Sequence, residues 1–342
     1  MISIVIPCYN CETTLETTLE SAVRNQGSFE VVLVNDGSTD HTGELCGRWK
    51  KRDQRIRVIH QENKGLMAAW KTGVRHAEGD YIVFSDSDDW IESDLIHRVE
   101  NVAEENKPDI ITYGITMNYP DGSYEYQGNH IRAGLIGRKE IESGILPVYF
   151  YDNGMGTMAI MSGRCCKAVR KELLLANMHL LDDRLSIGED DVTSFALILD
   201  AQSVYQIEEY FPYHYCRRKG SMLGNYNVNV AREFVRVREE LHKIAEVKGY
   251  GYRDQIDKNF IENVLLVIKK IMVDMEYDPV TMEDQVRQTA GLEEVASAFH
   301  QKALCSCFGR KEKLMISLIN GRHYKLCAFL ARTFSKLKGI SR

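Results

Sequence analysis

Over its first 115 residues the chain alternates short apolar runs with longer amphipathic stretches, and this alternation limits the available folds more than any other feature. The runs ISIVIP, EVVLVN, IRVIH, YIVFSD and DIITYG are rich in β-branched and aromatic residues, while 11–25, 40–53, 65–77 and 92–105 repeat their apolar positions at helical spacing. Strand, helix and strand at this spacing predict βαβ units and an α/β fold with a mostly parallel sheet covered on both faces. Ligands of such sheets lie beyond the carboxyl ends of the strands. Polar residues gather there: Tyr9 and Asn10 after the first strand, Asp36 after the second, Asn63 and Lys64 after the third, and Asp86 to Asp89 after the fourth.

The pattern loosens after residue 115. Between 116 and 224 the expected parts are a polar loop, NYPDGSYEYQGN, a helix over SGRCCKAVRKELLLA, a second over DDVTSFALILD, and strands in SVYQIEEYFPYHY. This stretch reads as a second half that extends the sheet and closes the site. From 225 to 342, VAREFVRVREELHKIAEV and NFIENVLLVIKKIMVDM have helical spacing, so a helical C-terminal region is expected. The chain carries no internal repeat and no low-complexity segment.

Hydrophobic residues make up 44% of the 342, enough for a sizeable core, and no run approaches the roughly eighteen apolar residues a membrane span needs. MISIVIP lacks a basic leader and a small-residue cleavage site, which predicts an unsecreted, cytoplasmic protein. The nine cysteines, without paired C-x-x-C spacing, read as reduced thiols rather than a zinc site. The total charge of −6 conceals an asymmetry: residues 302–342 hold ten Lys or Arg against Glu312 alone, a net of +9 that leaves −15 on the rest. No nucleic-acid partner is expected. The basic tail, which includes KLCAFLARTFSKLKGISR, suits peripheral contact with an anionic membrane at its inner face, or equally a solvated helix whose lysines cover apolar surface.

In FSDSDDW, Asp86, Asp88 and Asp89 fall within four residues at the end of a buried strand, where their mutual repulsion disfavours ionisation unless a positive charge joins them. A divalent cation, Mg²⁺ or Mn²⁺, is one such partner, and two carboxylates separated by one residue leave room for phosphate and water oxygens to complete its shell. The other reading is capping of a helix beginning near Ile91, a role that Asp89 suits. Trp90, directly after the carboxylates, either offers its ring for stacking or docks that helix. In VNDGSTD, Gly37 permits a sharp turn, Ser38 or Thr39 caps the next helix, and Asp36 is left to meet a base or ribose. There is neither a GxGxxG nor a GxxxxGKT segment, so no dinucleotide fingerprint and no P-loop is supported.

Taken in order and spacing, IPCYN, NDGSTD, NKG and FSDSDDW resemble family 2 glycosyltransferases of the GT-A type fold over residues 1 to about 115. The resemblance implies a Rossmann-like nucleotide-sugar-binding half at 1–115 and an acceptor and catalytic half at 116–224. It places Pro7, Tyr9 and Asp36 on the nucleoside of a nucleoside-diphosphate sugar, with Asn10, Asn63, Lys64 and Ser87 lining the donor. The family's DxD motif falls on Asp86 and Asp88 and implies metal and diphosphate binding. SIGEDDVTSFALIL resembles the segment carrying the catalytic base, which is expected to be Asp190 with Glu189 and Asp191 as rivals. YHYCRRKGSM resembles the segment that closes over the diphosphate, although Cys216 stands where an Arg is common, leaving Arg217, Arg218 and Ser221 to serve. His214 is either an additional metal ligand or a packed strand residue. The function implied is inverting, metal-dependent sugar transfer, with uridine as the expected base and a glycan or lipid-linked saccharide of a cell-surface polysaccharide as acceptor. A catalytically silent partner subunit and a nucleotidyltransferase are the alternatives; the latter calls for a Gly-rich loop that IPCYNCETT lacks.

Overall fold

The computed structural model describes residues 1–151, 158–218, 226–275 and 278–337. They divide into two compact units, one of Met1–Pro147 with Met158–Arg218, the other of the described residues of 148–157 and 219–342. The first unit contains β1 (Ile2–Cys8), β2 (Phe29–Asp36), β3 (Ile56–Gln61), β4 (Tyr81–Phe84), β5 (Trp90–Ile91), β6 (Ile110–Thr112), β7 (Ile115–Asn118), β8 (Tyr124–Gln127), β9 (Gly134–Gly137), β10 (Lys167–Arg170), β11 (Ser203–Gln206) and β12 (Tyr213–Cys216).

Eight strands form one sheet in the order β3-β2-β1-β4-β10-β6-β11-β9, with β3, β2, β1 and β4 parallel. All eight residues of β2 are buried, as a strand covered on both faces requires. Helices Leu15–Val23, Thr42–Arg52, Leu66–His76 and Leu95–Asn106 connect or follow these strands where helical spacing was read in the sequence. The expected helix over SGRCCKAVRKELLLA differs: Lys167–Arg170 is a strand, antiparallel to both β4 and β6, and the helix begins only at Lys171. Four residues are too few for a helical period, and Lys167, Ala168 and Val169 are buried between two neighbours. This central antiparallel strand brings the residues just before it level with the end of β4.

A smaller sheet has the order β5-β12-β7-β8. The expected polar loop NYPDGSYEYQGN is in fact the β7–β8 hairpin, turning at Gly122 with φ +84°. The whole of β8 is exposed, so it lacks the buried apolar face by which a strand is recognised.

The second unit is helical, as expected, with Val228–Val247 and Arg253–Asp274 its longest helices. Much of the basic tail's apolar side lies inside this unit: Ile316, Ile319, Tyr324, Cys327 and Ala328 are buried, and Arg332 Nε donates to the Met272 carbonyl at 2.7 Å. Leu326 and Phe329 remain exposed. No helix among the described residues is long and apolar enough to cross a membrane.

Candidate active site

Each functional side chain is placed by the end of a strand or the start of a helix. After β1, Asn10 takes the left-handed φ of +48°, which Asn tolerates, and its Oδ1 accepts from Thr39 N at 2.8 Å while its own N–H donates to Ser38 Oγ at 3.1 Å. These bonds knit the first two strand-end loops together. They also occupy Ser38 and Thr39, which were expected to cap the following helix; that helix starts later, at Thr42, whose N–H is met by Asp40 Oδ1 at 3.0 Å. Pro7 lies near the end of β1, and Tyr9 is 51% exposed just beyond it.

Asp36 is buried at the end of β2. Its carboxylate accepts from Lys64 N at 3.0 Å, Gly65 N at 2.9 Å and Gln61 Nε2 at 2.7 Å. It therefore anchors the NKG loop after β3, and these three bonds account for most of its acceptor capacity. Gly37, at φ +69°, makes the close approach possible, since a Cβ there would meet Asn63 N at 2.6 Å. The side chains of Asn63 and Lys64 are exposed at this rim.

The DSDD turn follows β4. Asp89 is buried and does not cap a helix: its two oxygens accept from the Tyr213 hydroxyl at 2.7 Å and from Cys216 N at 2.8 Å, and the next helix starts only at Leu95. Asp89 thus ties the turn to β12, and burial above all pushes its carboxyl up to about 6. Asp88 is exposed, and Arg218 donates to its carbonyl at 2.7 Å. The Ser87 carbonyl accepts from Thr14 Oγ1 at 2.8 Å. Burial first, then the charge of Asp89, raises the Asp86 carboxyl to about 8; Asp190 and Asp88 add to the effect and Arg164 opposes it.

Arg164 is the residue that sequence reasoning missed. It sits three residues before β10 and is buried, with its guanidinium 3.0 Å from Asp190 Oδ1 and 3.4 Å from Glu189 Oε1. Its counter-charges come from segments tens of residues away, and the only local sign is a cation among residues that otherwise read as core, SGRCCKAV. The helix Glu189–Asp200 points its first turn at this cation, starting from Gly188 at φ +72°. Within that turn Glu189 is buried and raised to about 6, chiefly by burial and by Asp190, whereas the Asp190 side chain is 35% exposed. Asp191 is half-buried.

Strand alternation separates the residues of YHYC. Tyr213 reaches Asp89 and the Asp86 N–H, and Tyr215 is raised to about 12 by burial and by Asp89, Asp86 and Asp88, so both tyrosines face the carboxylates. His214 points the other way. Its Nε2 lies 2.9 Å from Glu92 Oε1, its Nδ1 lies 3.3 Å from Asn118 Nδ2, and its ring stacks on Trp90. Both ring nitrogens thus have hydrogen-bond partners, as a packed strand residue would. Arg217 lies over the Tyr119 ring at 5.5 Å, and Ser221 falls outside the described residues.

The family model for glycosyl transferase family 2 matches residues 3–174, half of the chain. The chain belongs to this family. Among family 2 relatives, glycosyltransferase GlyG of Streptococcus pneumoniae serotype 4 is 30% identical over 244 residues, 69% of this chain and 78% of GlyG. The uncharacterized glycosyltransferase EpsJ of Bacillus subtilis is 44% identical over 122 residues, 35% of this chain. That match spans only about a third of EpsJ, 36% of its length. S. aureus TarS 1-349, solved in complex with UDP-GlcNAc, superposes with a TM-score of 0.67 at 18% identity, covering 99% of this chain and 92% of that one. At that identity the likeness is one of fold, and the fold is the GT-A type of family 2.

Proposed function

We propose that this family 2 chain is an inverting transferase that moves a sugar from a UDP-sugar to a hydroxyl of a glycan or lipid-linked saccharide acceptor in cell-surface polysaccharide synthesis. The observation that carries the reading is the meeting of Asp86, at the end of β4, with Arg164 and Asp190, which couples an anionic donor end to a half-exposed carboxylate. The names of the relatives support glycosyl transfer, and the UDP-GlcNAc complex of TarS supports the donor class.

Among the described residues no three His, Cys, Asp or Glu side chains converge as a metal cage. Two aspartates completed by phosphate and water oxygens nevertheless suit a hard cation, and Asp86, crowded by like charge, fits that role. Mn²⁺ or Mg²⁺ held by Asp86 and Asp88 would supply Lewis-acid neutralisation of the departing diphosphate. Arg217 and Arg218, exposed at the rim, add charge-assisted hydrogen bonds to its oxygens. Asp190, paired with Arg164 at 3.0 Å and open to solvent, accepts the acceptor hydroxyl's proton as that oxygen attacks C1 from the face opposite the diphosphate. Glu189, almost enclosed, is less able to reach an acceptor. A single in-line displacement then inverts the anomeric centre.

The test is incubation with a panel of nucleotide sugars, with and without EDTA. Metal-dependent release of a nucleoside diphosphate is expected. Release of pyrophosphate would identify nucleotidyl transfer instead, and absence of both turnover and donor binding would identify a silent partner subunit.

A further inference from the structure

Three thiols meet on one face of β1. Cys8 at the end of that strand, Cys11 before the first helix and Cys46 on the helix Thr42–Arg52 belong to one hydrophobic core cluster. The Cys8 side chain hydrogen-bonds to those of both Cys11 and Cys46. Cys8 and Cys46 are fully enclosed, whereas Cys11 keeps 7% of its surface open. Cys8-Tyr9-Asn10-Cys11 is a single C-x-x-C at a strand-to-helix junction, the spacing of a dithiol pair and not the doubled spacing of a zinc site.

Hydrogen-bond donors surround the Cys11 sulfur: the Cys8 thiol, the Ser87 hydroxyl and, at 3.8 Å, Thr42 Oγ1. The Cys8 bond is the largest cause, and burial opposes it, of a thiol brought down from 9.0 to about 7. The Cys8 thiol is raised well above its usual range, first by its bond to Cys11, and also reaches the Ile6 carbonyl at 3.4 Å, so it keeps its proton. A thiolate beside a protonated thiol is the pairing of an attacking and a resolving cysteine. Elsewhere burial acts alone or foremost, raising the thiols of Cys165, Cys166, Cys216, Cys305, Cys307 and Cys327. An inert core cysteine needs none of the donors that converge on Cys11.

The pair lies where it can act on the donor site. Tyr9 and Asn10, both expected donor contacts, are the two residues between the cysteines. Ser87, whose hydroxyl meets the Cys11 sulfur, lies between Asp86 and Asp88, and Thr14 Oγ1 holds its carbonyl at 2.8 Å. Drawing Cys11 onto Cys8 takes the sulfur away from Ser87 and reshapes the loop through Tyr9 and Asn10.

We propose that Cys8 and Cys11 form a peroxide-responsive dithiol whose disulfide weakens nucleotide-sugar binding. The consequence rests on the donor reading above, while the chemistry stands apart from it. The Cys11 thiolate attacks one oxygen of hydrogen peroxide, the O–O bond breaks, and the departing hydroxide takes up a proton as water, leaving Cys11 a sulfenic acid. The Cys8 sulfur then attacks the Cys11 sulfur. The S–S bond forms as the S–O bond breaks, and hydroxide leaves with the Cys8 proton as a second water. Two thiols are thereby oxidised to one disulfide, and one peroxide is reduced to two waters. Exchange with a dithiol reductant restores both thiols.

The reduced full chain is treated with hydrogen peroxide, its remaining thiols are alkylated, and it is digested with trypsin without reduction. UDP affinity in Mn²⁺ is measured by calorimetry on the same samples. Residues 1–24 form one tryptic peptide holding Cys8 and Cys11, and 25–48 form another holding Cys46. Peptide 1–24 is expected unalkylated and lighter by two hydrogens, with UDP affinity about tenfold lower and both changes reversed by dithiothreitol. In Cys11→Ser, peroxide should leave UDP affinity unchanged, and Cys46→Ala should respond as wild type does. A fully alkylated 1–24, a cross-link of 1–24 to 25–48, a loss of affinity that follows oxidation of Cys216 alone, or an unchanged affinity despite the bond overturns the proposal. If reduced protein binds UDP and 1–24 stays alkylated, only the dithiol falls; if it binds no UDP, the donor reading falls and the dithiol's effect with it.

Discussion

Replacing Asp86 with Asn should make the protein more stable and inactive at once. The Asp86 carboxyl is raised from 3.8 to about 8, so in the absence of metal the native state holds a proton that the unfolded chain releases. Stability therefore falls as pH rises from about 4 to about 8. A displacement of about four pH units, at about 1.4 kcal/mol each, sets a ceiling of about 6 kcal/mol on what full ionisation can remove. Asp86 keeps a partly open face, and water and local relaxation raise the effective dielectric, which brings the expected gain to about 1–3 kcal/mol at pH 8. Urea denaturation in EDTA at pH 5, 6, 7 and 8 measures this directly. The Asn variant should exceed wild type most at pH 8, with the difference narrowing toward pH 5. Mn²⁺ with UDP should stabilise wild type and not the variant. A variant less stable than wild type at pH 8, or one offset by the same amount at every pH, would refute the reasoning.

Asp190→Asn should slow turnover by about 10²–10⁴-fold while UDP affinity changes little, as kinetics and calorimetry on one preparation would show. If turnover persists, Glu189 or Asp191 is the base. Arg164→Met removes the guanidinium that Glu189 and Asp190 share and should lower stability by about 3–5 kcal/mol at pH 7. Adding Asp86→Asn should restore part of the loss measured at pH 9, where Asp86 is ionised beside the same cation; strict additivity of the two changes in a double-mutant cycle at that pH would contradict the shared site. Tyr213→Phe, which deprives Asp89 of a buried donor, should cost about 1–3 kcal/mol in thermal or chemical denaturation.

What was legible in the sequence was what has a period. The first four strands are apolar runs between helices of eleven or so residues; β1, β2 and β4 are covered on both faces, and β3, at the sheet's edge, is only partly buried but keeps its place through its pairing with β2. KAVR was read as helix because four buried residues have no period of their own and only the strands on either side make them a strand. YEYQ was missed for the opposite reason, exposure on every side, although Pro120 to Ser123 before it is a turn signal. At the site, the DSDD and GED carboxylates were visible as local clusters, but the buried cation between them was not, since an Arg among core residues becomes meaningful only when chains from 86 and 190 meet it. The period of two in YHYC, by contrast, was available in advance and would have turned His214 away from the carboxylates.

The central claim is that a diphosphate lodges at the DSDD turn. A crystal structure of the protein grown with UDP and Mn²⁺ tests it most directly. The account predicts the two phosphates within a cation's reach of Asp86 and Asp88, with Arg217 or Arg218 on their oxygens and Asp190 across an open space the size of a sugar. UDP seated elsewhere, with no density at those aspartates, would contradict it.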